Sequence, residues 1–233
     1  QYEVAVVTQD GMRRMFQEQE DVFYYLTVMN ENYSHPALPK GAEKGILKGL
    51  YRLSEGAKAK GKARSGKTSP RVQLMGSGTI LREVMAAAEL LESDWGVAAD
   101  VWSATSFNEL RREAQETHRW NLLHPDKKQK ISYVEQCLDG TEGPIVAATD
   151  YMRAFPDQIR PYVHRRFVTL GTDGFGRSDS REALRSFFEV DRHYVTLAAL
   201  KALADDGMIP ASKAVEAIKK YGIDADRPNP VNV

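Results

Sequence analysis

The chain has 233 residues, enough for one large or two modest domains, each with a core of its own. Lysine plus arginine and aspartate plus glutamate each number 32, so no net charge recruits nucleic acid or an anionic membrane. No apolar run is long enough to span a bilayer, and Cys137 has no second cysteine to pair with, which together read as a reducing, cytoplasmic setting.

Residues 4–8 are an apolar, β-branched run that predicts a buried strand, residues 12–17 predict a helix, and residues 22–28 a second strand. Two strands and one helix do not make a domain. The run also begins without a polar lead-in, so this segment is expected to complete the edge of a sheet whose remainder lies upstream in a longer protein. Pro36, Pro39 and Gly41 then punctuate the chain as a connector would, and His35, held extended by the following proline, has no orienting partner in its own segment. Residues 41–53 predict a short helix and then a strand over 49–53. From Ser54 the composition falls to Ala, Gly, Ser, Lys and Arg, so a flexible basic loop is expected over 57–69. Inside it Gly61, Gly66, Lys67 and Thr68 fit the phosphate-loop spacing. That motif needs a buried strand before it and a helix after it; a basic coil precedes here and Pro70 follows, so no nucleotide site is predicted.

From Arg71 a regular alternation sets in. Residues 72–75 predict a strand, Gly76 to Gly78 a turn, and residues 79–93 a helix with Ile80, Val84, Ala87, Ala88 and Leu91 on one face. The turn resembles the start of a dinucleotide fingerprint, but Leu81 stands where its third glycine belongs. Strands over 98–104, 145–149 and 167–170 follow, with Ser106 capping a helix that runs to about 118. This rhythm predicts a mostly parallel sheet between two helical layers, a three-layer α/β/α domain in which ligands meet the carboxyl ends of the strands. In the tail, Val195, Ala198, Ala199, Ala202 and Leu203 share a helical face, Asp205 to Gly207 end that helix, Pro210 opens another that runs to Tyr221, and 224–233 is coil.

The stretch 167–188 carries the densest local information: a strand, a turn with Gly171, Gly174 and Gly176, and a helix with Asp179 as its cap and Glu182 closing a capping box. Arg177 and Arg181 beside the exposed amides would suit an anion, and the competing reading is a rigid corner that positions a helix. Asp150 and Tyr151 end the third strand and Asp173 follows the fourth, so these residues gather at one rim of the sheet. No nucleophile or base accompanies them, which favours helix capping and contact with a neighbouring subunit or domain. His118, His124 and Cys137 are too irregularly spaced for a metal pair, and no Gly-x-Ser-x-Gly elbow is present.

Taken together, Leu26 to Tyr33, Gly41 to Ile46, Gly76 to Leu81, Thr105 to Phe107, Arg119 to Asn121 with Leu123 to Pro125, and Thr169 to Arg181 resemble a family: the carboxyl-terminal part of homodimeric bacterial pyruvate dehydrogenases, the decarboxylating first component of the pyruvate dehydrogenase complex. The resemblance implies that 1–40 is the end of a pyrimidine-binding domain with its connector, and that 41–233 is a transketolase-type carboxyl-terminal domain. Such enzymes use thiamine diphosphate and magnesium to decarboxylate pyruvate and pass the acetyl unit to a lipoyl group. The family's Gly-Asp-Gly motif, its activating glutamate and its assisting histidines belong to segments before Gln1, so no catalytic, cofactor-binding or metal-binding residue carries over. The expectation is a structural, dimerisation and assembly portion of an oxidoreductase, inactive alone and holding no cofactor itself. Its partners would be the remaining domains of the same enzyme, a second subunit, and the dihydrolipoyl acetyltransferase component. Asn30, Tyr33 and His35 lie closest in sequence to the cofactor-binding domain. With Asp150, Tyr151, Asp173, Arg177 and Arg181 they are the funnel or interface candidates. The alternative is a free-standing α/β anion-binding or regulatory module that uses the turn from Gly171 to Arg181.

Overall fold

Alternation along one central strand sorts the whole domain. In the computed structural model, which describes residues 2–30, 32–57 and 69–233, strand β2 (Arg71–Gly76) sends Val72 and Leu74 to one face and Gln73 and Met75 to the other. The predicted loop 57–69, apart from its two end residues, and the phosphate-loop spacing at 61–68 lie outside the described residues. The sheet has five strands in the order β1-β3-β2-β4-β5, with β1 (Tyr51–Ser54) antiparallel at one edge and β3 (Ala98–Ser103), β4 (Ile145–Ala148) and β5 (Phe167–Leu170) parallel to β2. All of β3 and β4 is buried, as strands covered on both faces must be.

On one face Val72, Leu74, Val101 and Val146 pack against Ile80, Val84, Ala87 and Leu91 at the start and along the inner stripe of α3 (Leu81–Trp95). Val195, Ala199, Leu200 and Leu203 of α8 (Arg192–Asp205) extend this core, as do Ala214 and Ala217 of α9 (Ser212–Lys220). On the other face Met75, Trp102, Ile145, Ala147 and Phe167 meet Phe107, Leu110 and Ala114 of α4 (Phe107–Leu123) and Val134 and Leu138 of α5 (Tyr133–Leu138). The three-layer α/β/α architecture expected from the sequence is therefore present.

One polar network is buried within the second face. Gln73, which is 0% exposed, donates to Asp100 at 2.7 Å and to the Glu142 carbonyl at 3.1 Å, while its carbonyl oxygen accepts from Trp102 Nε1 at 2.8 Å. Asp100 also takes the Gly56 amide at 2.9 Å and pairs with Arg71, so each group has its partner.

Three local expectations fail for physical reasons. Residues 4–8 lie inside α1 (Tyr2–Met12), whose Tyr2, Val6 and Val7 pack on Ala42, Ile46 and Tyr51 beside α2 (Glu43–Lys48). With no strand paired to it among the described residues, the β-branched run satisfies its backbone internally as a helix. Residues 13–17 continue it as a π-helical turn. Residues 22–28 carry no strand assignment, because an extended segment becomes a strand only by pairing and, among the described residues, its one backbone bond joins Val22 to Glu20. The cap of α7 (Arg181–Phe187) is Ser180, whose hydroxyl accepts from the Ala183 amide at 3.2 Å. Asp179 instead takes the Ser180 amide at 2.6 Å, and Glu182 is one residue out of phase to close a box. A capping box does form at α5, between Ser132 and Glu135.

Candidate functional site

The topological switch of this sheet falls between β2 and β4, since β3 was added on one side of β2 and β4 on the other. Gly78 has φ of +57°, and a Cβ there would lie 3.1 Å from Asp150 Oδ1. The Asp150 carboxyl thus fills the crevice between the two strand ends. Burial pushes it up from the ordinary carboxylate range, against hydrogen bonds from its own backbone and Thr79 and the charge of Arg185. An acidic side chain occupies the place where a phosphate would sit in sheets of this kind. Among the described residues no group of three or more His, Cys, Asp or Glu is placed to hold a metal ion.

The remaining rim residues serve the corner itself. Thr172 ties β4 to β5 through the Asp150 carbonyl at 2.7 Å and the Tyr151 carbonyl at 2.9 Å. Tyr151 is exposed and lies against Phe155 at 5.1 Å between ring centroids. Asp173 pairs with Arg153 and accepts from its amide at 3.1 Å. Gly174, with φ of +105°, lets the tail close over the turn: a Cβ there would lie 2.9 Å from the Pro230 carbonyl. Arg227 fastens that tail to the Phe187 carbonyl at 2.8 Å and to the Tyr194 hydroxyl at 3.1 Å. Arg177 lies over the Phe187 ring at 5.0 Å. The chain's last residues therefore touch this turn at Gly174, while residues 174–180 stay exposed.

The connector residues meet the opposite side of α7. Arg181 donates to Asn30 Oδ1 at 2.6 Å, Arg185 reaches the Tyr33 hydroxyl at 3.5 Å, and the Arg82 guanidinium stacks 3.8 Å from the Tyr33 ring centroid. His35 is exposed and is not brought into this group. The residue that sequence reasoning missed is Glu83, 5% exposed, which binds both Arg185 and Arg192. Its signal was legible: position 83 falls on the apolar stripe of 80, 84, 87 and 91, where a carboxylate needs a buried partner. A separate open groove of about 320 Å³, lined in part by Lys40, Arg52, Trp102, Tyr133 and Cys137, holds none of the predicted residues. Burial pushes the Cys137 thiol up, away from reactivity.

The family model of the transketolase-like TK C-terminal domain matches residues 49–191, and that of the pyruvate dehydrogenase E1 component middle domain matches residues 1–36. The chain belongs to the pyruvate dehydrogenase E1 family. It is 59% identical to the pyruvate dehydrogenase E1 component of Cupriavidus necator over 233 residues, 100% of this chain and 25% of that protein. It is 52% identical to the Escherichia coli component over 231 residues, 98% of this chain and 25% of that protein. A solved transketolase from Pichia stipitis is 19% identical, covering 76% of this chain and 22% of that one with a TM-score of 0.45. The chain spans about a quarter of the length of the relatives it matches. It carries the junction of the family's middle and transketolase-like C-terminal domains, and among the described residues no helix is long and apolar enough to cross a membrane.

Proposed function

We propose that this chain is the structural, dimerisation and assembly portion of a thiamine diphosphate-dependent pyruvate dehydrogenase that decarboxylates pyruvate and reductively acetylates lipoyl groups. The observation that carries the reading is the 59% identity extending over all 233 residues, middle-domain segment included. Residues 1–40 would belong to the pyrimidine-binding domain and its connector, and residues 41–233 would form the carboxyl-terminal domain. The extended segment 22–28, with Phe23 88% and Tyr25 85% exposed, would then be a strand of that first domain's sheet, paired by upstream residues. The homodimer partner and the acetyltransferase component would use surfaces of the complete enzyme, in the cytoplasm. Thiamine diphosphate and magnesium would be held outside this chain, by the domains that the complete enzyme adds.

The test is turnover of pyruvate with added thiamine diphosphate, magnesium and an artificial electron acceptor. The full-length enzyme is expected to be active and the 233-residue chain inert. Activity of this chain by itself would refute the reading.

A further inference from the structure

The buried carboxylate of Glu83 sits at the meeting point of three helices and the connector, and it is held by two arginines at once. Arg192 contacts it through Nε at 2.9 Å, through Nη2 at 3.3 Å and through its backbone amide at 3.1 Å, while Arg185 Nη1 lies 3.2 Å away. Burial works to raise the Glu83 carboxyl, but the Arg192 hydrogen bond and charge, with help from Arg185, outweigh it and leave it below the ordinary range. Glu83 is therefore a buried anion placed between the largely buried Arg185 and the half-exposed Arg192, two cations that would otherwise repel one another. The fork geometry of Arg185 passes this constraint on to the connector. One terminal nitrogen is committed to Glu83 and the other is aimed at the Tyr33 hydroxyl, so the carboxylate sets where that second nitrogen points. Arg82, the neighbour of Glu83 on α3, closes over the Tyr33 ring from another side, and Arg181, one turn before Arg185 on α7, holds Asn30.

We infer that Glu83 is the positioning residue of an arginine clasp, through which α3, α7 and α8 fix the connector at Asn30 and Tyr33. The segment matched by the middle-domain family ends at residue 36, so the clasp grips its last residues and sets its placement on the C-terminal domain. The inference rests on the contacts within this chain and stands whatever reaction the complete enzyme performs. None of the side chains named belongs to a strand, and Arg82 and Arg185 can be shortened without emptying the core that packs on the sheet.

A nitroxide at exposed position 34, introduced as Ser34→Cys in a Cys137→Ala background, reads the connector directly. Arg82→Met and Arg185→Met, which keep their apolar stems, are each expected to shorten the label's correlation time roughly threefold while far-ultraviolet dichroism stays unchanged. Glu83→Gln is expected to do the same, and to add nothing further in a Tyr33→Leu background, since Tyr33→Leu already removes the contact that Glu83 positions. Unchanged label mobility in the two arginine variants would overturn the clasp. Additive effects of Glu83→Gln and Tyr33→Leu would overturn the positioning role of Glu83. If Glu83→Gln does not fold, Arg185→Met in the Tyr33→Leu background carries the same additivity test.

Discussion

The sheet and the amino-terminal segment handle similar side chains in opposite ways. Leu74, Val146 and Leu200 are fully enclosed between helices, whereas Phe23 and Tyr25 project into solvent from a segment with no strand beside it. The same contrast holds for polar groups: Asp100, Gln73 and Glu83 are each buried with their partners, while the amides of 22–28 largely lack backbone ones. The sheet thus holds its core within this chain, whereas the large side chains of Phe23 and Tyr25 find no burial in it.

Matched truncations break this comparison most sharply. Leu74→Ala is expected to cost about 3 kcal/mol in denaturant unfolding, within the range for emptying a core site, and Phe23→Ala less than about 0.5 kcal/mol. A comparable loss from both would mean that residue 23 is buried in the isolated chain. Asp100→Ala should cost nearly as much, about 3 kcal/mol, because Arg71, the Gly56 amide and Gln73 lose their common acceptor. A melting temperature unmoved by that change would contradict the network.

Caps give a smaller effect. Ser180→Ala should destabilise by about 1 kcal/mol and Asp179→Ala by less, since only the serine hydroxyl bonds into the first turn of α7. The reverse order in thermal melts would restore the sequence-based assignment of Asp179.

The smallest changes concern pH. Glu83 lies below its ordinary range, so it contributes stability above the unfolded pKa that is lost as pH falls through the folded one. Asp150 is raised, so its contribution is present at low pH and lost as pH rises through its folded pKa. Asp150→Asn should accordingly be within about 0.5 kcal/mol of neutral at pH 7, and Glu83→Gln should flatten the acid limb of a stability profile. A steep loss in Asp150→Asn at neutral pH would show that its charge is wanted where it sits.

Strands β2, β3, β4 and β5 were legible because both of their faces are apolar and turn residues bound them, and the stripe of Ile80, Val84, Ala87 and Leu91 told α3 where its core lay. The antiparallel edge strand β1 was partly legible, as an extended run over 49–53, although its direction depends on pairing with β3. Helix α1 was not, because Val4, Ala5, Val6 and Val7 favour a strand locally and only the packing of Tyr2, Val6 and Val7 on Ala42, Ile46 and Tyr51 overrules them. Of the candidate residues, Asn30 proved adjacent to Arg181, and Tyr33 to Arg185, across more than a hundred positions, which no local pattern encodes. Asp150 was placed at the right rim, but its role as the occupant of the crevice depends on the close approach that Gly78 permits.

Amide hydrogen exchange of the 233-residue chain, compared with the same region in the full-length enzyme, tests the central claim most directly. Exchange is expected to be slow throughout β2 to β5 in both, with amides of 22–28 exchanging at nearly unstructured rates in the chain and becoming protected in the enzyme. Amides of 22–28 as slow as those of β4 in the isolated chain would contradict it.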